Sequence, residues 1–356
     1  MTIEELLQIT IQKNASDLHL IAYSEPTLRI HGVLTPVPQS QPLMPEEVES
    51  LIMALVTEEQ KELLVANKEL DFSFALGEVA RFRVNAYYQK GYVSAALRML
   101  PLKIRNLDEL QLPSILHKFT DLVQGFVLVT GPTGHGKSTT LAALVNEINQ
   151  NRACHILTIE DPIEYVYPKA KAFVSQRELH LDTHSWDVAL RGALREDPDV
   201  VLIGEMRDYE TIEAAITIAE TGHLVFSTLH TNSAAQAIDR MVDVFPEHQQ
   251  DQVRLQLAST LEAIVSQRLL PSLNGERIVV NEILLANSAV KTIIREGKTH
   301  LLDNVIQTNS EMGMESMESA LARKVRAGTI SLHVAQTYSN KAKELTRLLN
   351  SGKPSR

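Results

Sequence analysis

Residues 125 to 148 read GFVLVT, then GPTGHGKSTT, then LAALVNEI: an apolar run, a glycine-rich stretch and an amphipathic run in immediate succession. The apolar run suits a strand buried on both faces of a parallel sheet. Leu141, Leu144, Val145 and Ile148 recur at helical spacing and predict a helix with one apolar stripe. The stretch between them is either an ordinary tight turn or a cradle for phosphate. Gly131 to Ser138 fit G-x-x-x-x-G-K-[ST], and the chemistry accounts for each position. Glycines let successive backbone N–H groups turn inward, and a lysine lies over the β- and γ-phosphates. The hydroxyl after it serves Mg²⁺, and the positive helix N-terminus faces the anion. The strand before and the helix after decide for the cradle. Gly131, Pro132, Thr133, Gly134, His135, Gly136, Lys137, Ser138 and Thr139 are the predicted nucleotide-binding residues, with ATP as ligand.

Beyond residue 115 further apolar runs, ILTI, VVLI and LVFS, alternate with amphipathic segments, which predicts an α/β fold with a mainly parallel sheet. DYETIEAAITIAETG reads as a helix capped by Asp208 and ended by Gly222. From Pro246 on the chain reads as mostly helical, with a strand pair at RIVVNEILL. Residues 1–98 form a different pattern, a small α+β unit. IEELLQITIQK, PEEVESLIMALV and EEQKELLVAN are its helices; SDLHLI, PTLRIHGVL, ARFRVNAYYQ and YVSAALRML are its strands. Turns are expected at His31-Gly32 and Lys90-Gly91, with Pro101 ending the unit. The predicted division is 1–98, a linker over 99–114, and a nucleotide-binding domain over 115–356.

Hydrolysis needs a carboxylate to orient or deprotonate water, at the carboxyl edge of the sheet where ligands bind. VVLI runs directly into Gly204 and Glu205, making Glu205 the leading candidate and, with Ser138, the expected Mg²⁺ contact. ILTIEDPIEY brings Glu160, Asp161 and Glu164 to a similar strand end, as helix caps or as site acids. His223 and His230 bracket LVFSTL; His230 falls past its carboxyl end, where it would sense the γ-phosphate, while His223 is open between structural and site roles.

Charge narrows the partners. A net charge of −10 disfavours nucleic acid as a ligand. A single cysteine, Cys154, excludes an internal disulfide and a multi-cysteine zinc module. No apolar stretch reaches bilayer length and the amphipathic, acidic start is unlike a secretory leader, so a cytoplasmic location is expected. Against this acidity, residues 79 to 105 carry six basic residues and no acid. Strand alternation puts Arg81, Arg83 and Asn85 on one face, and Arg98 projects from the next strand. Such arginines need an anion, either distant carboxylates or a nucleotide held by a neighbouring copy.

In order and spacing, GPTGHGKSTT, ILTIEDPIEY, REDPDVVLIGEMRDYETIEAA and ETGHLVFSTLHTNSA resemble the Walker A, Asp-box, Walker B and His-box motifs of the ATPases of bacterial type IV pili and type II secretion. SDLHL and RFRVNAYYQKG extend the resemblance over most of the chain. The short N-terminal unit and the absent tetracysteine motif are most similar to the pilus retraction branch. The resemblance implies a PAS-like N-terminal domain, a RecA-like ATPase domain and a homohexameric motor. That motor would sit at the inner-membrane pilus base, engage a platform protein there and act on the pilin filament indirectly. By motif position it implies Glu205 as catalytic glutamate, Glu164 as the Asp-box acid, His223 and His230 as the His-box pair, and Arg81, Arg83 and Arg98 as arginines acting on a neighbour's nucleotide. Two positions depart from the family pattern: His135 replaces serine in the cradle, and AVKTIIRE (289–296) carries Lys291 in place of arginine. A pilus assembly or secretion ATPase, a DNA-translocating ATPase and a nucleotide-gated accessory protein are the alternatives.

Overall fold

The computed structural model describes residues 1–77, 79–100 and 103–351. Pro101, expected to close the first unit, lies outside them. The first compact unit comprises residues 1–104 together with 160–166 and 176–185; the second holds the remainder. The Asp-box segment and the stretch around Glu178, expected in the nucleotide-binding domain, therefore cluster with the N-terminal unit. Sequence distance concealed this, since both segments continue strands that begin in the second unit.

The first unit is built on one antiparallel sheet of six strands: β1 (Asp17–Leu20), β2 (Thr27–Ile30), β3 (Val33–Pro36), β4 (Glu69–Leu76), β5 (Ala80–Gln89) and β6 (Tyr92–Leu100), in the order β3-β2-β1-β6-β5-β4. The β2–β3 hairpin pairs Ile30 with Val33 across His31 (φ 48°) and Gly32 (φ 84°). Two consecutive positive φ angles give the turn a twist that matches the strands. Lys90 and Gly91 do the same between β5 and β6. One sheet face packs on the helix Ile3–Gln12, which Thr2 and Glu5 close in a capping box, and on the helix Pro45–Met53. Along β5 the even residues Phe82, Val84 and Ala86 are buried, while Arg81, Arg83 and Asn85 face the other way. Strand β4 was not anticipated, although Leu70, Phe72 and Phe74 alternate with Glu69, Asp71 and Ser73. That period-two signal was readable.

The second unit carries the larger sheet. Its strands are β7 (Gly125–Thr130), β8 (His155–Glu160), β9 (Phe173–Glu178), β10 (Val200–Ile203), β11 (Leu224–Leu229), β12 (Leu261–Pro271) and β13 (Arg277–Leu285), in the order β13-β12-β7-β11-β10-β8-β9. Strands β12, β7, β11, β10 and β8 pair in parallel, and β13 is antiparallel to β12. The parallel strands β7, β10 and β11 are buried along their whole length, as continuous apolar runs require. A strand pair was expected at RIVVNEILL; the segment forms one strand, β13, and its partner β12, expected as helical territory, is a strand whose buried Ala263, Ile264 and Val265 lie beside β7. The helix Tyr209–Glu220 starts at Asp208, whose carboxylate accepts from Thr211 N–H at 3.0 Å, and Gly222 follows it at φ 97°. The C-terminal third closes with the helices Met317–Arg326, Leu332–Tyr338 and Ala342–Ser351. No helix among the described residues is long and apolar enough to cross a membrane.

Candidate nucleotide site

The cradle forms at the carboxyl end of β7. Gly131, Gly134 and Gly136 all have positive φ (144°, 78° and 80°). At Gly131 the requirement is also steric: a Cβ would lie 2.3 Å from the Gln267 carbonyl oxygen. The helix Lys137–Asn151 begins where the loop ends, its first-turn N–H groups available to an anion. Lys137 is buried, and its Nζ donates to the carbonyls of Gly131 (2.9 Å) and Pro132 (3.1 Å). These are weak substitutes for phosphate oxygens, so the ammonium is folded back and able to swing. Ser138 is exposed at the mouth of the loop.

Two neighbouring strand ends complete the edge. Glu205 follows β10, and its side chain is mostly shielded. His230 follows β11, and its Nε2 lies 3.2 Å from Glu205 Oε2. His230 Nδ1 lies 3.4 Å from both Lys137 Nζ and Thr133 Oγ1. An ammonium has no acceptor, so Nδ1 must receive from Lys137; the ring proton then sits on Nε2 and is donated to Glu205. Arg207 also pairs with Glu205. The cradle lysine, His230 and the carboxylate are thus joined in one line. Moving the lysine toward phosphate would release the imidazole.

His223 is elsewhere. It precedes β11, at the opposite end of the strand, and its Nδ1 meets the Ile218 carbonyl at 3.1 Å and Thr221 Oγ1 at 3.0 Å. Those are contacts of a helix end, distant along the strand from the cradle.

In the first unit the arginine face has distant carboxylates of its own chain, one of the two anion sources expected from the sequence. Arg81 Nη2 pairs with Glu178 at 2.9 Å, and Glu178 is fully buried. The same carboxylate accepts from the Ser73 N–H (2.9 Å), the Ser73 hydroxyl and the Ile163 N–H (3.1 Å). Arg98 Nε donates to Asp17 at 2.9 Å while remaining 70% exposed. Arg83 is held loosely, 3.5 Å from Asp71 and 3.9 Å from Glu164. Glu160 is buried and accepts from Gln176 at 3.3 Å. Glu178 went unremarked in the sequence because FVSQRE is polar and carries no motif; only the fold shows it buried as the last residue of a strand.

Among the described residues no cluster of three or more His, Cys, Asp or Glu could hold a metal ion. Mg²⁺ fits this donor set, because it keeps most of its waters and takes few protein ligands beside phosphate oxygens. Ser138, exposed at the loop mouth, and Glu205, at the end of β10, are the oxygen donors expected from the sequence.

Comparison with known proteins identifies the relatives of the chain. A twitching motility protein of Neisseria gonorrhoeae is 44% identical over 97% of this chain and 92% of its own length. The type IV pilus retraction ATPase PilT of Pseudomonas aeruginosa is 45% identical over 93% of this chain and 96% of its own. The crystal structure of the pilus retraction motor PilT with bound ADP superposes with a TM-score of 0.90 at 44% identity, covering 98% of this chain and 99% of that one. The type II/IV secretion system protein family matches residues 1–340, and the chain belongs to that family.

Proposed function

We propose that the protein is an ATPase that powers type IV pilus retraction, acting as a homohexamer at the cytoplasmic face of the inner membrane on a platform protein and, through it, on the pilin filament. The observation that supports this reading best is the line from Lys137 through His230 to Glu205 at the carboxyl edge of the parallel sheet, in a chain 45% identical to a retraction ATPase. Residues 131–139 bind the nucleotide. On binding, Lys137 leaves the Gly131 and Pro132 carbonyls for the β- and γ-phosphates. His230, relieved of the lysine, faces the terminal phosphate with Thr133 beside it. Glu205 orients the attacking water and accepts its proton. Ser138 and Glu205 would hold Mg²⁺, which would supply charge neutralisation at the phosphates.

Arginines of a neighbouring subunit complete the charge stabilisation in this reading. Arg83 is the best placed of the three, since its two carboxylate contacts are the longest. Arg81 would first have to leave Glu178. Glu164, facing Arg83, sets where that guanidinium rests. Lys291, the departure in the AVKTIIRE segment, is 3.5 Å from Glu262, so the lysine retains an ion pair there.

Pilus length in cells lacking the protein tests retraction. Long pili and lost twitching are expected; absent pili would assign the motor to assembly, and unchanged pili would assign it to an accessory role.

A further inference from the structure

The inward-facing N–H groups of a phosphate cradle turn its carbonyls outward, where each needs a partner. His135 lies between two left-handed glycines, Gly134 and Gly136, at the tip of the cradle. Its carbonyl accepts from Gln267 Nε2 at 2.7 Å. Gln267 sits on β12, 132 residues after His135 in sequence, and is 2% exposed. Its amide has only one orientation available. Thr140 Oγ1 donates to Gln267 Oε1 at 2.8 Å and Asn281 Nδ2 donates to the same oxygen at 3.3 Å, which turns Nε2 toward the cradle. Next along β12, the Leu269 N–H donates to His135 Nδ1 at 3.0 Å. That bond requires an unprotonated Nδ1. Burial, with Arg268, Lys137 and Arg277 nearby, pushes the His135 pKa below its usual value and keeps the acceptor available.

The close fit runs both ways. A Cβ at Gly131 would strike the Gln267 carbonyl, and one at Gly136 would come within 3.1 Å of Gln267 Nε2. Both ends of the glycine motif are therefore shaped against this one residue. We propose that Gln267 is a positioning residue of the nucleotide site, which holds the cradle in its anion-binding curl through the His135 carbonyl. The inference rests on the ATPase reading above.

Binding of N-methylanthraniloyl-ADP to the purified full chain tests it. Gln267→Glu keeps the acceptor for Thr140 and Asn281 but sets an oxygen against the His135 carbonyl. At pH 8 its affinity should fall by about tenfold or more, an unsatisfied buried carbonyl replacing a made bond. A protonated glutamate can donate where glutamine did, so the affinity gap to wild type should narrow as pH falls toward 5. Recovery of affinity without a matching rise in urea-unfolding free energy separates positioning of the cradle from support of the fold. Thr140→Val, which frees the amide without changing its chemistry, should cost about threefold. Affinity in Gln267→Glu equal to wild type at pH 8, or a deficit independent of pH, would overturn the proposal. Wild-type binding lost in Lys137→Ala establishes the site itself. Failure of the wild type to bind would overturn both readings.

Discussion

The carboxyl edge of the second unit's sheet and the arginine-bearing sheet of the first use charged groups to opposite ends. At the edge, Lys137 rests on two carbonyls and near a neutral imidazole, and His230 touches both it and Glu205. These contacts are replaceable, and phosphate would outcompete them. On the arginine face, Glu178 is buried under donors from Ser73, Ile163 and Arg81, contacts that fix three segments to one another. Removing such a carboxylate leaves the half-buried Arg81 guanidinium without its anion. The difference separates charges kept for chemistry from charges kept for architecture. It also ranks the three arginines, with Arg81 on the architectural side and Arg83 nearer the chemical one.

The largest expected effect breaks the comparison if Arg83 is architectural too. Arg83→Ala and Lys137→Ala proteins should each be nearly inactive as ATPases. Mixed rings should regain part of the activity, because some interfaces join an intact cradle to an intact arginine. If native mass spectrometry shows mixed hexamers while turnover stays at the single-mutant level, Arg83 does not act on a neighbour's nucleotide.

Next in size is the stability contrast within the arginine face. Glu178→Ala should lower unfolding free energy by about 3–5 kcal/mol in urea titrations. Arg98→Ala, removing an exposed guanidinium, should cost about 1 kcal/mol or less. Equal costs would mean that burial does not decide which pair matters.

Another buried acid, with a backbone N–H as its hydrogen-bond donor, sharpens the contrast. Glu282 on β13 accepts from the Ala234 N–H, at the start of the helix after His230, at 2.8 Å. Burial, with Asp303 and Glu318 adding like charge, raises its pKa from 4.5 to about 7. Below 4.5 the carboxyl is protonated whether the chain is folded or not. Between 4.5 and 7 only the folded protein holds the proton, so stability declines as pH rises through that window and levels above it. The shift corresponds to about 3 kcal/mol at most. Glu282→Gln should flatten the urea-unfolding free energy between pH 5 and 8; an unchanged pH slope would remove Glu282 as its source.

What was readable from sequence follows the same division. The cradle, Glu205 and His230 lie in short local patterns: an apolar run, then a reactive residue at its end. Parallel strands bring such ends to one edge regardless of their distance along the chain. The partners of Arg81 and Arg98 are 97 and 81 residues away and carry no pattern of their own. Gln267 was missed for the same reason, its role set by a carbonyl 132 residues earlier. Strand β9, with Glu178 at its end, is polar and lies at the sheet edge, where apolar periodicity gives no signal. Strand β4 is a different case, because its alternation was present in the sequence.

The central claim is that the Lys137–His230–Glu205 line divides its work, the lysine and cradle binding nucleotide and Glu205 activating water. Parallel calorimetric ATP binding and steady-state turnover of Glu205→Gln test it most directly. Affinity within about threefold of wild type, with kcat reduced by about 100-fold or more, is the predicted result. Turnover near the wild-type rate would contradict the claim and move the role of the base to another acid, with Glu164 the next to test.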